Sequence, residues 1–396
     1  MKNLEIFIID DEQLTLDMLF EFTKLLGYET KTYISAKDFF KQGKVSESEA
    51  IMFLDLNMPD MDGIEVMRKM VETGQKMPLV LMSGYDSGIL HSAEQLAKAY
   101  SLDIIATLAK PFSLNLFKEA IEKYTRYSKL KGRDSKQFIS VSELEFAINN
   151  KQLELYYQPQ IDIRSGAIIG VEALVYWQHP RLGLINPGLF ISIAENSGLI
   201  GILTSFVIEQ AMHQALFWKS KKLMIQVSVN ISAENITSLS LPEQLKDLLD
   251  GHQLDPTMLT LEVTESSLMG ELITSLDILT RLRMKGIELS IDDFGTGYSS
   301  LSQLYRMPFT ELKIDKSFVM NMKNDEDARG IVKTCIMLGH ELKMNVVAEG
   351  VENRETLKIL SDMGCDIAQG YYIARPMSAE KIIPWVVDRD TSSFLN

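Results

Sequence analysis

Short apolar runs that end in polar residues alternate with amphipathic stretches along almost the whole chain. Leu4–Ile9 ends in Asp10-Asp11-Glu12. Leu14–Leu26 then carries apolar residues at helical spacing and stops at Gly27. Further runs are Ala50–Leu54, ending at Asp55; Leu79–Met82, ending at Ser83-Gly84; and Ile104–Ala109, ending at Lys110-Pro111-Phe112. Strand-like runs separated by helical patterns predict a doubly wound parallel α/β unit over residues 1–123, of the flavodoxin-like kind. Such folds gather the polar residues at their strand ends along one edge.

Residues 124–140 are polar and basic (Arg126, Lys129, Lys131, Arg133, Lys136) and contain Gly132, so they are expected to form a linker. Ser142-Glu143-Leu144-Glu145 opens a helix that should end near Asn150. From residue 153 the alternation resumes with eight strand candidates. Their polar ends are Gln158, Glu172, Asn230, Glu262, Asp292-Asp293, Lys313, Glu349 and Gln369. Over residues 141–393 this rhythm predicts a (β/α)8 TIM-like barrel, with a polar site crowning an apolar barrel. The runs 153–163 and 167–175 are joined by only Arg164-Ser165-Gly166. No crossover helix fits in that connection, so the barrel should start irregularly, with an antiparallel first strand.

Composition narrows the classes. The 396 residues suit two or three domains, and 46% hydrophobic with 24% charged residues is an ordinary globular balance. A formal net charge of −14 argues against a DNA-binding role, and no helix-turn-helix pattern stands out. No apolar run is long enough for a membrane span. Two cysteines and no secretory signal at Met1-Lys2-Asn3-Leu4 make the cytoplasm the expected location.

In the first part, Asp10, Asp11 and Asp55 can hold a divalent cation. Asp55 can also act as a carboxylate nucleophile toward phosphoryl groups, with Ser83 and Lys110 contacting the phosphoryl oxygens. An Asp after one strand is usually a turn residue, but the four-part order is specific. It resembles a response-regulator receiver domain over residues 1–123. The resemblance implies phosphorylation of Asp55 by a sensor histidine kinase and one Mg²⁺ held by Asp10, Asp11, Asp55 and the backbone of Asn57. Receivers usually carry an aromatic switch three residues before the lysine; this chain has Thr107 there.

In the second part, Glu172, Asn230, Glu262, Asp292 and Glu349 are oxygen donors from five strand ends. They suit one or two hard cations, Mg²⁺ or Mn²⁺, with Asp293 bridging them or belonging to the second. Two such ions can clamp the attacking and leaving oxygens of a phosphodiester displacement. Lys313 is the one cation of the ring. It either orients water and neutralises developing charge or merely pairs with a neighbouring acid.

Glu172-Ala173-Leu174, Asn230-Ile231-Ser232, Glu262-Val263-Thr264-Glu265, Asp292–Leu301, Lys313-Ile314-Asp315, Ala348-Glu349-Gly350-Val351-Glu352 and Gln369-Gly370-Tyr371 closely resemble the EAL family of cyclic-di-GMP phosphodiesterases. The resemblance implies metal ligands at Glu172, Asn230, Glu262, Asp292, Asp293 and Glu349, with Glu172, Lys313, Glu349 and Asp293 in the chemistry. It implies substrate contacts at Gln158, Tyr176, Gln369, Gly370, Tyr371 and Pro376. Glu265 and Glu352 would hold the glycine-rich loop after Asp293. The expected product is linear pGpG, and the expected assembly is a homo-oligomer, dimer or tetramer. The family commonly has Arg where this chain has Tyr176, which loses a fixed charge and a two-pronged phosphate contact. The competing reading is a non-catalytic cyclic-di-GMP receptor, which has no need of a full acidic ring plus Lys313.

Overall fold

The computed structural model describes residues 4–41, 50–84, 87–100, 102–134, 139–269, 272–296 and 301–388. The chain divides into two compact units, Met1–Phe138 and Ile139–Asn396.

The first unit is a five-stranded parallel sheet in the order β2-β1-β3-β4-β5. Its strands are β1 (Glu5–Ile9), β2 (Glu29–Tyr33), β3 (Ala50–Asp55), β4 (Leu79–Ser83) and β5 (Ile104–Ala109). Alternation along β1 builds two cores. Phe7 and Ile9 join one apolar cluster and Ile6 and Ile8 join the other, which is what helices on both faces require. β3 is buried at every position, hence its unbroken apolar run. β2 carries no such run: Glu-Thr-Lys-Thr-Tyr lies at the sheet edge and is exposed or half-buried throughout. The helix Gln13–Leu26 stops at Gly27, whose φ of 77° is the left-handed conformation a glycine adopts without strain. The expected linker begins differently. Helix Leu114–Asp134 runs straight past residue 123, because its polar residues extend the helix rather than break it.

The second unit opens with the helix Val141–Asn149, capped by a reciprocal Ser140–Glu143 box. Its strands are β6 (Leu153–Asp162), β7 (Ile168–His179), β8 (Gly183–Ile185), β9 (Gln226–Ile231), β10 (Leu259–Thr264), β11 (Glu288–Phe294), β12 (Glu311–Ile314), β13 (Asn345–Ala348), β14 (Ile367–Gln369) and β15 (Met377–Ser378). β7 and β9 through β14 pair in parallel, and β6 closes the ring by pairing antiparallel with both β14 and β7. All eight expected barrel strands are present, including the antiparallel first one. β8 and β15 are short additions to its margin.

The barrel interior differs from the expectation of an apolar core. Val227, Val229, Leu261, Val263, Leu289, Ile291, Leu312 and Ile314 pack into the large apolar cluster shared with the surrounding helices. The alternate positions Gln160, Ser228, Thr260, Glu262, Ser290 and Lys313 are buried and polar. The period-2 pattern therefore sends apolar side chains outward to the helices and leaves a polar column inside. Among the described residues, no helix is long and apolar enough to cross a membrane.

Candidate active site at the barrel mouth and candidate phosphoacceptor site

In the first unit, the strand ends bring Asp10, Asp11, Asp55 and Lys110 together. Each of the three acids offers a carboxylate oxygen within 4.8 Å of the others, the spacing a single cation needs. Lys110 Nζ lies 2.7 Å from Asp10 Oδ2 and 3.1 Å from Asp55 Oδ1. Burial pushes Asp55 up to about 6; Lys110 opposes the shift and Asp10 adds to it. Burial likewise raises Asp10 against the pull of Lys110. Lys110 itself is raised, because Asp10 and Asp55 outweigh the burial that would discharge it. Ser83 is fully buried at the end of β4, and its carbonyl accepts the Lys110 N–H at 2.7 Å. Asn57 is exposed just past β3, and Thr107 is exposed on β5.

In the second unit, Lys313 is completely buried and its ammonium sits among four acids. Nζ is 2.6 Å from Glu349 Oε1, 2.8 Å from Glu262 Oε2, 3.2 Å from Asp292 Oδ1 and 3.8 Å from Glu172 Oε2. Burial alone would discharge it, but Asp292, Glu172, Glu262 and Glu349 together hold its pKa well above the usual lysine value. The acids pay for their crowding. Burial raises Glu262 well above the carboxylate range despite Lys313. It pushes Glu349 up to about 8, with Asp292 and Glu172 adding to the shift. Asp293 is pushed up to about 6 by lost solvent, then by Asp292 and Asp315.

The Asp292-Asp293 pair lies where the β11–β12 register shifts, between Ile291 and Phe294. Asp293 has a φ of 55°, and its N–H bonds to Asp292 Oδ1 at 2.9 Å. This irregularity turns two consecutive acids, which a regular strand would send to opposite faces, toward one site. Asp292, Asp293 and Glu349 offer oxygens within 4.8 Å of one another. Glu262 Oε1 is buried with no hydrogen-bond partner. An orphaned carboxylate oxygen beside a tight trio of acids fits a hard divalent cation.

Glu172, at 3.8 Å the most distant of the four acids from Lys313 Nζ, is held by two amides. Its Oε1 accepts from Asn230 Nδ2 at 2.9 Å and its Oε2 from Gln369 Nε2 at 2.5 Å. Gln158 is buried and bonds Gln369 and the carbonyl of Ala374. Tyr176 stacks obliquely on Tyr156 at 4.8 Å between ring centroids. Burial raises its pKa first, then the neighbouring Tyr371, Tyr156 and Glu172. Gly370 is buried, Pro376 half-buried and Tyr371 exposed, with the Arg375 guanidinium 4.2 Å from the Tyr371 ring centroid. Glu265 is buried and accepts the Gly295 N–H at 3.0 Å. Glu352 is exposed, and loop residues 297–300, which it was expected to hold, lie outside the described residues.

Sequence reasoning missed Gln160, Tyr156, Asp315 and Arg375. Gln160 and Tyr156 were detectable, being two residues either side of Gln158 on one strand and therefore on its face. Asp315 lies within the quoted Lys313-Ile314-Asp315 motif. Nothing in the sequence alone marks Arg375.

A phosphoacceptor-type acidic pocket on a β2-β1-β3-β4-β5 sheet, followed by an acid-ringed lysine in a barrel with one antiparallel strand, defines a receiver joined to an EAL domain. The family models agree: the EAL domain matches residues 141–376 and the response regulator receiver domain matches residues 6–122. The chain belongs to the EAL family and carries an N-terminal receiver domain. It is 30% identical over 390 residues to the cyclic di-GMP phosphodiesterase RocR of Pseudomonas aeruginosa, covering 97% of this chain and 99% of RocR. It is 40% identical over 257 residues to the bifunctional diguanylate cyclase/cyclic di-GMP phosphodiesterase MucR of the same organism, spanning only 38% of that relative. Among solved structures, the MucR phosphodiesterase in complex with c-di-GMP aligns with a TM-score of 0.59 at 41% identity, covering 61% of this chain and 98% of that one. A Listeria monocytogenes EAL domain protein aligns with a TM-score of 0.57 at 32% identity, covering 64% and 100%.

Proposed function

We propose that this chain is a cyclic-di-GMP phosphodiesterase that opens one phosphodiester by water attack to give linear pGpG. The observation that carries the reading is Lys313, fully buried and within 3.8 Å of four strand-end carboxylates. Keeping that much uncompensated acid at a barrel mouth is costly for a protein that only binds, and hydrolysis gives it a use.

Glu172, Asn230, Glu262, Asp292, Asp293 and Glu349 would hold one or two Mg²⁺ or Mn²⁺ ions. Bound there, the ions supply activation of water and neutralisation of phosphoryl charge. The protein's own groups do the rest. Lys313 keeps its proton because of its acidic neighbours, and so presents N–H donors and a fixed charge where negative charge grows on the phosphoryl oxygens. Asn230 and Gln369 fix both oxygens of Glu172. Gln158, Tyr176, Gln369, Gly370, Tyr371 and Pro376 would contact the substrate, with Tyr176 offering a hydroxyl in place of a guanidinium.

The receiver would control this activity. Asp55 takes the phosphoryl group from a sensor histidine kinase, with one Mg²⁺ held by Asp10, Asp11, Asp55 and the backbone of Asn57 and with Ser83 and Lys110 on the phosphoryl oxygens. A cytoplasmic, homo-oligomeric protein without a DNA-binding role completes the reading. The test is incubation with cyclic di-GMP and Mg²⁺ or Mn²⁺, with products separated by chromatography. Binding without pGpG in either metal would make the barrel a receptor instead.

A further inference from the structure

Behind Glu172, three glutamine amides form one buried chain whose direction is fixed at both ends. At one end the Ala374 carbonyl can only accept, so Gln158 turns Nε2 toward it, at 3.1 Å. Gln158 Oε1 is then left to accept from Gln369 Nε2, at 3.2 Å. At the other end Glu172 Oε2, a carboxylate oxygen, takes a second hydrogen of the same Gln369 Nε2, at 2.5 Å. With both hydrogens of that nitrogen engaged, Gln369 Oε1 must accept. Its donor is Gln160 Nε2, at 2.9 Å. Gln160 is 3% exposed, so water does not replace it.

The strand register makes room for this amide. Gln160 lies opposite Gly170, two residues before Glu172 on β7. A Cβ at Gly170 would come within 2.9 Å of Gln160 Oε1.

We infer that Gln160 is a positioning residue for hydrolysis: it locks the Gln369 amide with nitrogen toward Glu172 and so aims that carboxylate into the cation site. The inference rests on the phosphodiesterase reading. Without Gln160 the buried Gln369 oxygen has no donor; its nitrogen still faces Gln158 and Glu172, but the side chain can find its oxygen a new donor only by shifting, and that shift draws Nε2 away from Glu172 Oε2. Glu172 then leaves its place between Asn230 and Gln369. Gln160 acts only through Gln369, so its loss should disturb metal binding and turnover, and every part of that effect should pass through Gln369.

The test is a double-mutant cycle on the full-length protein with Gln160→Met, which keeps the volume and removes the amide, and Gln369→Ala. Mn²⁺ affinity is measured by calorimetry, and kcat and KM for cyclic di-GMP are measured at saturating Mn²⁺. Gln160→Met is expected to weaken Mn²⁺ binding about tenfold, the size of one lost hydrogen bond. It should lower kcat, and any change in KM should vanish in the Gln369→Ala background. In the Gln369→Ala background, Gln160→Met should add nothing. Gln160→Asn, which withdraws the amide by one methylene, should follow Gln160→Met and covers the case in which the latter folds poorly. An undiminished effect of Gln160→Met in the Gln369→Ala background, or unchanged Mn²⁺ affinity, overturns the proposal. If the wild-type protein binds Mn²⁺ but makes no pGpG, the phosphodiesterase reading fails by itself, and the Mn²⁺ cycle still decides the role of Gln160.

Discussion

Lys313 Nζ and Glu262 Oε2 meet at 2.8 Å with both side chains completely buried. Neither charge has water to fall back on, so each depends on the other and on the acids around them. Replacing Lys313 by Met should destabilise the metal-free second unit by about 3 kcal/mol, the usual cost of stranding one partner of a buried pair. Divalent cation should restore part of the loss by neutralising the same acids. Trp177, Trp218 and Trp385 all lie in this unit, so denaturant unfolding followed by tryptophan fluorescence reads it selectively. An unchanged midpoint for Lys313→Met would show that the pair is not holding the mouth together.

Tyr176 should limit substrate affinity rather than chemistry. A hydroxyl replaces the guanidinium common in the family, and the charge-assisted contact it lacks is worth about 1.5–3 kcal/mol, roughly ten- to a hundredfold in binding. Tyr176→Arg should lower KM by that order and leave kcat nearly the same. Steady-state kinetics at fixed metal give both values, and an unchanged KM would remove Tyr176 from the substrate contacts.

The raised acids tie metal binding to pH. In the metal-free protein Asp293 holds its proton up to about 6 and Glu349 up to about 8. A carboxylate that ligates must be deprotonated, so binding below pH 8 expels protons. Mn²⁺ affinity should therefore rise from pH 6 to pH 8. Calorimetry in two buffers of different ionisation enthalpy measures the protons released. Folding stability without metal takes the opposite sign. These groups bind protons more tightly folded than unfolded, so their contribution falls as pH rises from the ordinary carboxylate range through about 8. A pH-independent Mn²⁺ affinity would contradict the assignment of Asp293 and Glu349 as ligands.

Much of this arrangement was legible from the chain, for a physical reason. Interior strands are buried on both faces or alternate strictly, so β1, β3, β4 and the eight barrel strands stood out as apolar runs with polar ends; β5 stood out by its apolar run although it lies at the sheet edge. β2 did not, because an edge strand needs no apolar run. The continuation of Leu114–Asp134 was hidden because a basic helix and a basic linker share a composition. The polar barrel interior was hidden differently. Ser228, Thr260 and Ser290 carry no chemistry that announces them, and only closure of the ring shows that they point inward. Gln160 was overlooked beside Gln158 because an amide's role depends on which way it faces, and that is fixed by Ala374 and Glu172, remote in sequence.

The two thiols should be inert in the folded protein. Burial pushes Cys335 up to about 11 and Cys365 up to about 12, and both are nearly inaccessible. Thiolate is the reactive form, so neither should react with a chromogenic disulfide at pH 8 until denaturant is added, when both should react. Rapid stoichiometric labelling of the native protein would contradict the burial of Cys335 on the helix Glu326–Glu341 and of Cys365 just before β14.

The acid ring around Lys313 is a hydrolytic site only if it turns over cyclic di-GMP. The direct measurement is pGpG formation from cyclic di-GMP by the full-length protein and by Glu172→Ala, side by side, with Mg²⁺, with Mn²⁺ and with chelator. The wild-type protein is expected to give pGpG with at least one of the metals and none with chelator, and Glu172→Ala none under any condition. Turnover by Glu172→Ala at the wild-type rate, or by the wild-type protein in chelator, would contradict the hydrolytic assignment.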